Sequence, residues 1–184
     1  ASLTKQMLGF SFSDSSFSCL GKVDINSLVS KSASRFLSDR PEIYLNLTLF
    51  PAGCHASCDS AQIENVLLNL LTNSCQSMPE GGQLIITTEK VLCSEEQASV
   101  FRARSGEYIK IGVTDTGHGL DEITKRRIFN PFFTTSDSGQ NHGLGLTTAF
   151  GIIKNHGGFI TINSELGAGT SISVYLPSVI SGLS

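Results

Sequence analysis

Apolar residues recur along residues 59–82 at the three- and four-residue spacing of a helix. Ile63, Val66, Leu67, Leu70 and Leu71, with Ser74 in phase, form one face. Asp59 and Gln62 have the spacing of a capping box, and Pro79, Gly81 and Gly82 supply stop signals, so a helix of roughly five turns fits between them. Another face carries Gln62, Asn65, Asn69, Asn73 and Gln76. Asparagine is a mediocre helix former because its side chain competes for backbone hydrogen bonds. Three of them in one helix point either to a solvated face or to a ligand that needs neutral oxygen and nitrogen groups, and both readings stay open at this point.

Residues 24–37 repeat the helical pattern through Ile25, Leu28, Val29, Ala33, Phe36 and Leu37, with Asp24 as the cap and Pro41 beyond the end. Residues 43–50 alternate as a strand until Pro51 and Gly53 turn the chain. Residues 83–93 and 108–114 are β-rich, and the polar stretch 94–106 between them reads as a loop or extended hairpin end. A short helix is expected over 121–129. Residues 130–142 follow, too polar to pack tightly, as a mobile loop holding Phe132 and Phe133. A helix over 144–155 stops at Gly157–Gly158. Strands 159–164 and 170–176 then meet across the turn at 167–169, and Pro177 closes the domain. At the start, Leu3, Met7, Leu8 and Phe10 lie near helical spacing before a Ser-rich run, the tail of a helix and a linker. This order predicts an α+β sandwich, one mixed sheet of about five strands covered on one face by about three helices.

Composition narrows the function. The chain has 184 residues, a formal charge of −3 and 13 dispersed Lys and Arg, which argues against nucleic acid or an anionic membrane as the main partner. No apolar run approaches the roughly 18 residues needed to cross a bilayer. The first residue is Ala, so a fragment or a processed chain is expected. The expected compartment is the cytoplasm, with a membrane anchor left open for a longer protein. Five cysteines at irregular spacing fit reduced thiols better than a disulfide framework. Cys54, His55 and Cys58 lack the second pair that a zinc site needs and read as ordinary strand and loop residues.

Two glycine clusters carry candidate chemistry. The strand at 108–114 delivers Asp115, then Thr116-Gly117-His118-Gly119-Leu120. A carboxylate at a strand end, with glycines permitting close backbone approach, suits the exocyclic amine of adenine and repels the carbonyl that guanine presents there. The competing reading is a plain Asp-Thr-Gly turn. His142-Gly143-Leu144-Gly145-Leu146 opens a helix after the polar loop, where free N–H groups and a positive helix end suit phosphate; glycine used for geometry alone is the alternative.

The stretches N-L-L-T-N (69–73), D-T-G-H-G (115–119), I-F-N-P-F-F-T-T (128–135) and G-L-G-L (143–146) resemble, in order, the N, G1, F and G2 boxes of sensor histidine kinases of the GHKL ATPase superfamily. The resemblance continues through K-N-H-G-G (154–158) and S-E-L-G-A-G-T (164–170). It implies the two-layer Bergerat α/β sandwich, ATP with Mg²⁺, and phosphoryl transfer to a histidine. It also implies a catalytic domain over 21–178, preceded in 1–20 by the end of a dimerisation and phosphoacceptor helix with its linker and followed by a tail at 179–184. Implied partners are that helical domain of the same protein, a response-regulator receiver domain and a second copy in a homodimer.

By the same resemblance Asn73 is the Mg²⁺ ligand and Asn69 the catalytic position, where water-using relatives often carry Glu. Asn cannot take a proton, so transfer to imidazole should outrun hydrolysis. Asp115 is similar to the adenine selector, with Gly117, Gly119 and Leu120 beside it and Thr170 as a water-mediated contact. Gly143, Leu144, Gly145 and Leu146 would present backbone to the phosphates, and Phe133 would belong to the lid.

Three positions depart from the pattern. The Lys or Arg usual near the triphosphate is replaced by Gln76 and Thr134-Thr135-Ser136, a usual glycine by His142, and a common acidic residue by Asn130. ATP carries about four negative charges and each charge-assisted contact contributes about 1.5 to 3 kcal/mol, so weak ATP affinity is expected. His142, alone or with Arg126 or Arg127, is the candidate replacement cation, against the reading of a solvated loop histidine. None of His55, His118, His142 and His156 has the setting of a phosphoacceptor, His118 and His55 reading as turn and loop residues. The rival functions are a degenerate nucleotide-sensing module and a GHKL ATPase of chaperone or mismatch-repair type.

Overall fold

The computed structural model describes residues 20–127 and 145–179. Its elements run β1 (Gly21–Asp24), α1 (Ile25–Phe36), β2 (Ile43–Thr48), β3 (His55–Cys58), α2 (Ser60–Gln76), β4 (Gly82–Cys93), α3 (Glu95–Phe101), β5 (Gly106–Asp115), α4 (Glu122–Arg127), α5 (Gly145–Asn155), β6 (Phe159–Glu165) and β7 (Gly169–Pro177). Both long helices start where a carboxylate can receive free N–H groups. Asp24 accepts from Asn26 and Ser27, and Asp59 Oδ1 accepts from Ala61 at 2.9 Å and Gln62 at 3.2 Å. The apolar face expected of α2 is its buried face, residue for residue: Ile63, Val66, Leu67, Leu70, Leu71 and Ser74.

Five strands form one mixed sheet in the order β2-β4-β5-β7-β6. β2 and β4 run parallel because α2 carries the chain back between them, and the other neighbours are antiparallel. Strand alternation then decides what faces the helices. Ile109, Ile111 and Val113 of β5 lie opposite Leu176, Val174 and Ile172 of β7, and all six join the core with α1, α2 and α5. Asp115 and Thr170 are the next pair in that register, so the pleat that builds the core also carries a carboxylate to its edge.

Two elements correct the sequence reading. The stretch 94–106, expected to be loop or hairpin end, contains α3, started by a capping box in which Ser94 Oγ accepts from Gln97 N and Gln97 Oε1 accepts from Ser94 N. α3 packs on the sheet face away from the main core, where Phe101 stacks on Phe159 at 4.5 Å and Phe159 on Tyr175 at 4.2 Å. That side is therefore not bare. The second correction is His55, which lies in β3 rather than a loop. β3 pairs with β1 in a two-stranded sheet that sequence periodicity did not reveal, each strand having only four residues.

Two predictions follow from burial. Leu70→Ala, at a fully buried site, should cost about 2–5 kcal/mol in urea unfolding, whereas exposed Asn65→Ala should stay within about 0.5 kcal/mol. Burial, with the Asp59 carboxylate adding to it, pushes the Cys58 thiol from 9.0 up to about 11. The fold then holds a proton that the unfolded chain releases first, so stability should fall as pH rises from about 9 to about 11, and a Cys58→Ala stability curve should be flatter there.

Candidate functional site

The C-terminal end of α2, the turn after β5 and the start of β7 meet at Asp115. The residue is only 4% exposed. Oδ1 accepts from Ser77 Oγ at 3.0 Å, from Gly117 N at 3.0 Å and from Thr170 N at 3.3 Å. Oδ2 has no partner among the described residues. Among the described residues Ser32 Oγ is the one sealed side-chain atom without a hydrogen bond, so Oδ2 is not sealed from accessible space. A carboxylate with one oxygen saturated and the other uncommitted keeps acceptor capacity for a ligand or water.

The turn carrying Asp115 is braced from both sides. Ser77 O accepts from His118 N at 3.1 Å, Thr116 N donates to Gln83 O at 3.2 Å, and Gln83 N donates to Thr116 Oγ1 at 3.0 Å. Glycine is forced at two places. A Cβ on Gly117 would overlap Ser77 Oγ, and one on Gly119 would overlap the Glu165 carbonyl oxygen, with φ at +68° besides. Leu120 N donates to Ser164 Oγ at 2.8 Å, and that hydroxyl lies 2.8 Å from Thr170 Oγ1. The base of the turn and the β6–β7 hairpin thus share one polar network.

Asn73 lies one helical turn before Ser77, which itself touches Asp115, so the C-terminal turn of α2 reaches the carboxylate. Asn69 and Asn73 are half-buried, and neither side chain hydrogen-bonds within the described residues. Asn65 and Gln76 are exposed. The start of α2 is held by His156, whose Nε2 accepts from Asp59 N at 3.1 Å while Nδ1 lies 2.8 Å from Ile152 O. Those partners select the neutral tautomer with the proton on Nδ1. His156 sits in the turn that ends α5, where the sequence placed it, and His118 is exposed.

Gly145 opens α5, and Leu146 turns its side chain into the core, 8% exposed. Phe133, Gly143, Leu144 and His142, like the rest of the lid stretch and the segment 1–19, lie outside the described residues. So do the side chains of Arg126 and Arg127. Lys125 is committed elsewhere: Nζ donates to Ser164 O at 2.8 Å and pairs with Glu122. A separate cavity of about 620 Å³, lined by Arg102, Arg104, Lys154 and Pro177 among others, lies toward the opposite end of β5 and contains none of the predicted site residues. Sequence reasoning missed Ser77 and Ser164. The available signal for Ser77 was its position four residues beyond Asn73, on the same side of the helix.

The glycine geometry yields a prediction. Gly119→Ala forces the turn off the Glu165 carbonyl at an unfavourable φ, at a cost of about 1–3 kcal/mol or more. A lowered thermal midpoint should be accompanied by loss of any stabilisation by Mg–ADP, both readable in one thermal-shift series.

Residues 58–180 match the family described as histidine kinase-, DNA gyrase B-, and HSP90-like ATPase. The sensor kinase CckA of Brucella abortus is 40% identical over 123 residues, 66% of this chain and 13% of that protein. The sensor histidine kinase ZraS of Escherichia coli K12 is 32% identical over 160 residues, 86% of this chain and 31% of that protein. The chain thus spans less than a third of these two relatives. Among solved structures, the nucleotide-free catalytic domain of histidine kinase ThkA superposes with a TM-score of 0.70 at 25% identity, covering 85% of this chain and 94% of that one. With its five-stranded mixed sheet, its helical layer and its Asp115 turn, this chain belongs to the histidine kinase-, DNA gyrase B-, and HSP90-like ATPases, as a catalytic domain of the sensor histidine kinase type.

Proposed function

We propose that the chain binds Mg–ATP and donates its γ-phosphoryl group to a histidine on a helical domain of the same protein, for relay to a response-regulator receiver domain. The observation that carries the nucleotide half of this reading is the open Oδ2 of an otherwise saturated, buried Asp115. That oxygen accepts a hydrogen bond from the exocyclic amine of adenine and rejects a carbonyl at the same position. Gly117 and Gly119 let the turn close against Ser77 and the Glu165 carbonyl, Leu120 follows them in the same turn, and Thr170 together with Ser164 supplies hydroxyls beside Asp115.

Asn73 fits a hard cation. Its amide is neutral, half-exposed and uncommitted among the described residues, and no cluster of three acidic, His or Cys side chains exists there to build an all-protein cage. A single protein oxygen suits Mg²⁺, which keeps waters and phosphate oxygens as its other ligands and, when bound, neutralises charge on the triphosphate. Gly145 and Leu146 open α5, and with Gly143 and Leu144, which lie outside the described residues, they are the candidates for main-chain contacts to the phosphates. Asn69, one turn before Asn73, cannot accept a proton from water, so an imidazole nitrogen brought to the γ-phosphorus is the favoured nucleophile. As that nitrogen bonds phosphorus, the bridging P–O bond breaks and ADP leaves. His156 has both ring nitrogens engaged, and His118 and His55 lie in the braced turn and in β3, which supports an acceptor on another domain; His142 lies outside the described residues. A second copy in a homodimer and a receiver domain complete the proposed partners.

A nucleotide-sensing module without useful transfer is the rival, supported by Gln76 at the expected cation position and by the commitment of Lys125 to Ser164. Incubating this chain and the preceding helical domain with γ-labelled ATP separates the two, acid-labile phosphohistidine on the helical domain being expected and its absence favouring the sensor. In calorimetry, Asp115→Asn should weaken Mg–ADP binding at least about tenfold, and Asn73→Ala should remove most of the Mg²⁺ dependence of ADP binding. Unchanged affinity in the first variant contradicts the assignment.

A further inference from the structure

The structure assigns a base-specificity role to Ser77, which lies outside every motif that carried the resemblance; the assignment rests on the adenine-nucleotide reading above. Ser77 is the C-cap of α2. Its Oγ lies 2.7 Å from Ser74 O and 3.0 Å from Asp115 Oδ1, with one proton for two acceptors. Pointed at Ser74, the hydroxyl would set a lone pair against a carboxylate oxygen 3.0 Å away. Pointed at Asp115, it makes a charge-assisted hydrogen bond, roughly twice as strong as a neutral one. The charge-assisted arrangement is the stronger of the two.

Among the described residues Ser77 is the one side chain that bonds to this carboxylate, the other two donors being the main-chain N–H groups of Gly117 and Thr170. The Gly117 contact is local, two residues along the chain. The Thr170 contact is the longest of the three. Ser77 approaches from a different element, α2, and fixes the plane of the carboxylate so that Oδ2 alone faces outward. One outward oxygen matches one amine hydrogen of adenine. A carboxylate free to rotate can present both oxygens edge-on, the geometry that accepts the N1–H and 2-amino hydrogens of guanine together. Ser77 therefore acts as a positioning residue, through Asp115, on the choice between the two purines.

The test compares Mg–ADP and Mg–GDP affinities by calorimetry for this chain, Ser77→Ala, Ser77→Thr, Asp115→Asn and the Ser77→Ala/Asp115→Asn double variant. Thermal midpoints without nucleotide serve as folding controls. Ser77→Ala should narrow the preference for ADP over GDP by about tenfold, Ser77→Thr should keep it, and Ser77→Ala should change nothing further in the Asp115→Asn background. If Ser77→Ala does not fold, Ser77→Cys takes its place, a weak donor expected to lose the preference while Ser77→Thr retains it. Equal losses for both nucleotides, an undiminished preference in Ser77→Ala or Ser77→Cys, or failure of Ser77→Thr to keep it overturns the role of Ser77 alone. Wild type that binds neither nucleotide overturns the nucleotide reading and this inference with it.

Discussion

The site depends on a single carboxylate oxygen. Asp115 Oδ1 accepts from α2, from the turn after β5 and from β7 at once. A buried carboxylate needs such donors, because leaving it unpaired away from water is costly. Meeting that need ties the helical layer to the sheet at one edge. It also leaves Oδ2 aimed at accessible space, so the interaction that stabilises the turn is the one that orients the acceptor.

The polar network around Asp115 extends the same logic away from the core. Ser164 joins Leu120 and Thr170, while Lys125 anchors α4 to the Ser164 carbonyl. Asp121, which accepts from Thr124 N at 2.7 Å, starts α4, and these backbone-directed hydrogen bonds hold its carboxyl below the usual range. At the other end of α2, His156 takes up the Asp59 N–H, so the helix bearing Asn69 and Asn73 is fixed at both termini by side chains from elsewhere in the chain. The amide face of α2, which contributes little burial of its own, is held in place by the ends of the helix and by its opposite face.

Much of this was legible in the sequence, for identifiable reasons. The buried face of α2 could be read because 17 helical residues repeat the 3.6-residue period almost five times. Asp115 could be placed at a strand end because strand alternation ran up to it and glycines followed. α3 was hidden because its apolar contacts, Ala98 and Phe101, are too few to show a period. Its only clear mark was the Ser94–Gln97 box with Glu95 and Glu96 in the first turn. β1 and β3 escaped because each has four residues, fewer than alternation needs. Ser164 was illegible, since a serine's partner across the fold leaves no trace in its neighbours, and Ser77 offered only its helical spacing from Asn73.

The central claim is that the amides of α2, the Asp115 carboxylate and the glycine turn face one nucleotide. An amide NMR titration of the isotope-labelled chain with Mg–ADP tests it most directly. The account predicts that the largest shifts fall on Gly117, Gly119, Thr170 and the Asn73 side-chain amide, together on one binding curve. Shifts centred instead on Arg102 to Tyr108 at the far end of β5, or none at millimolar nucleotide, would contradict it.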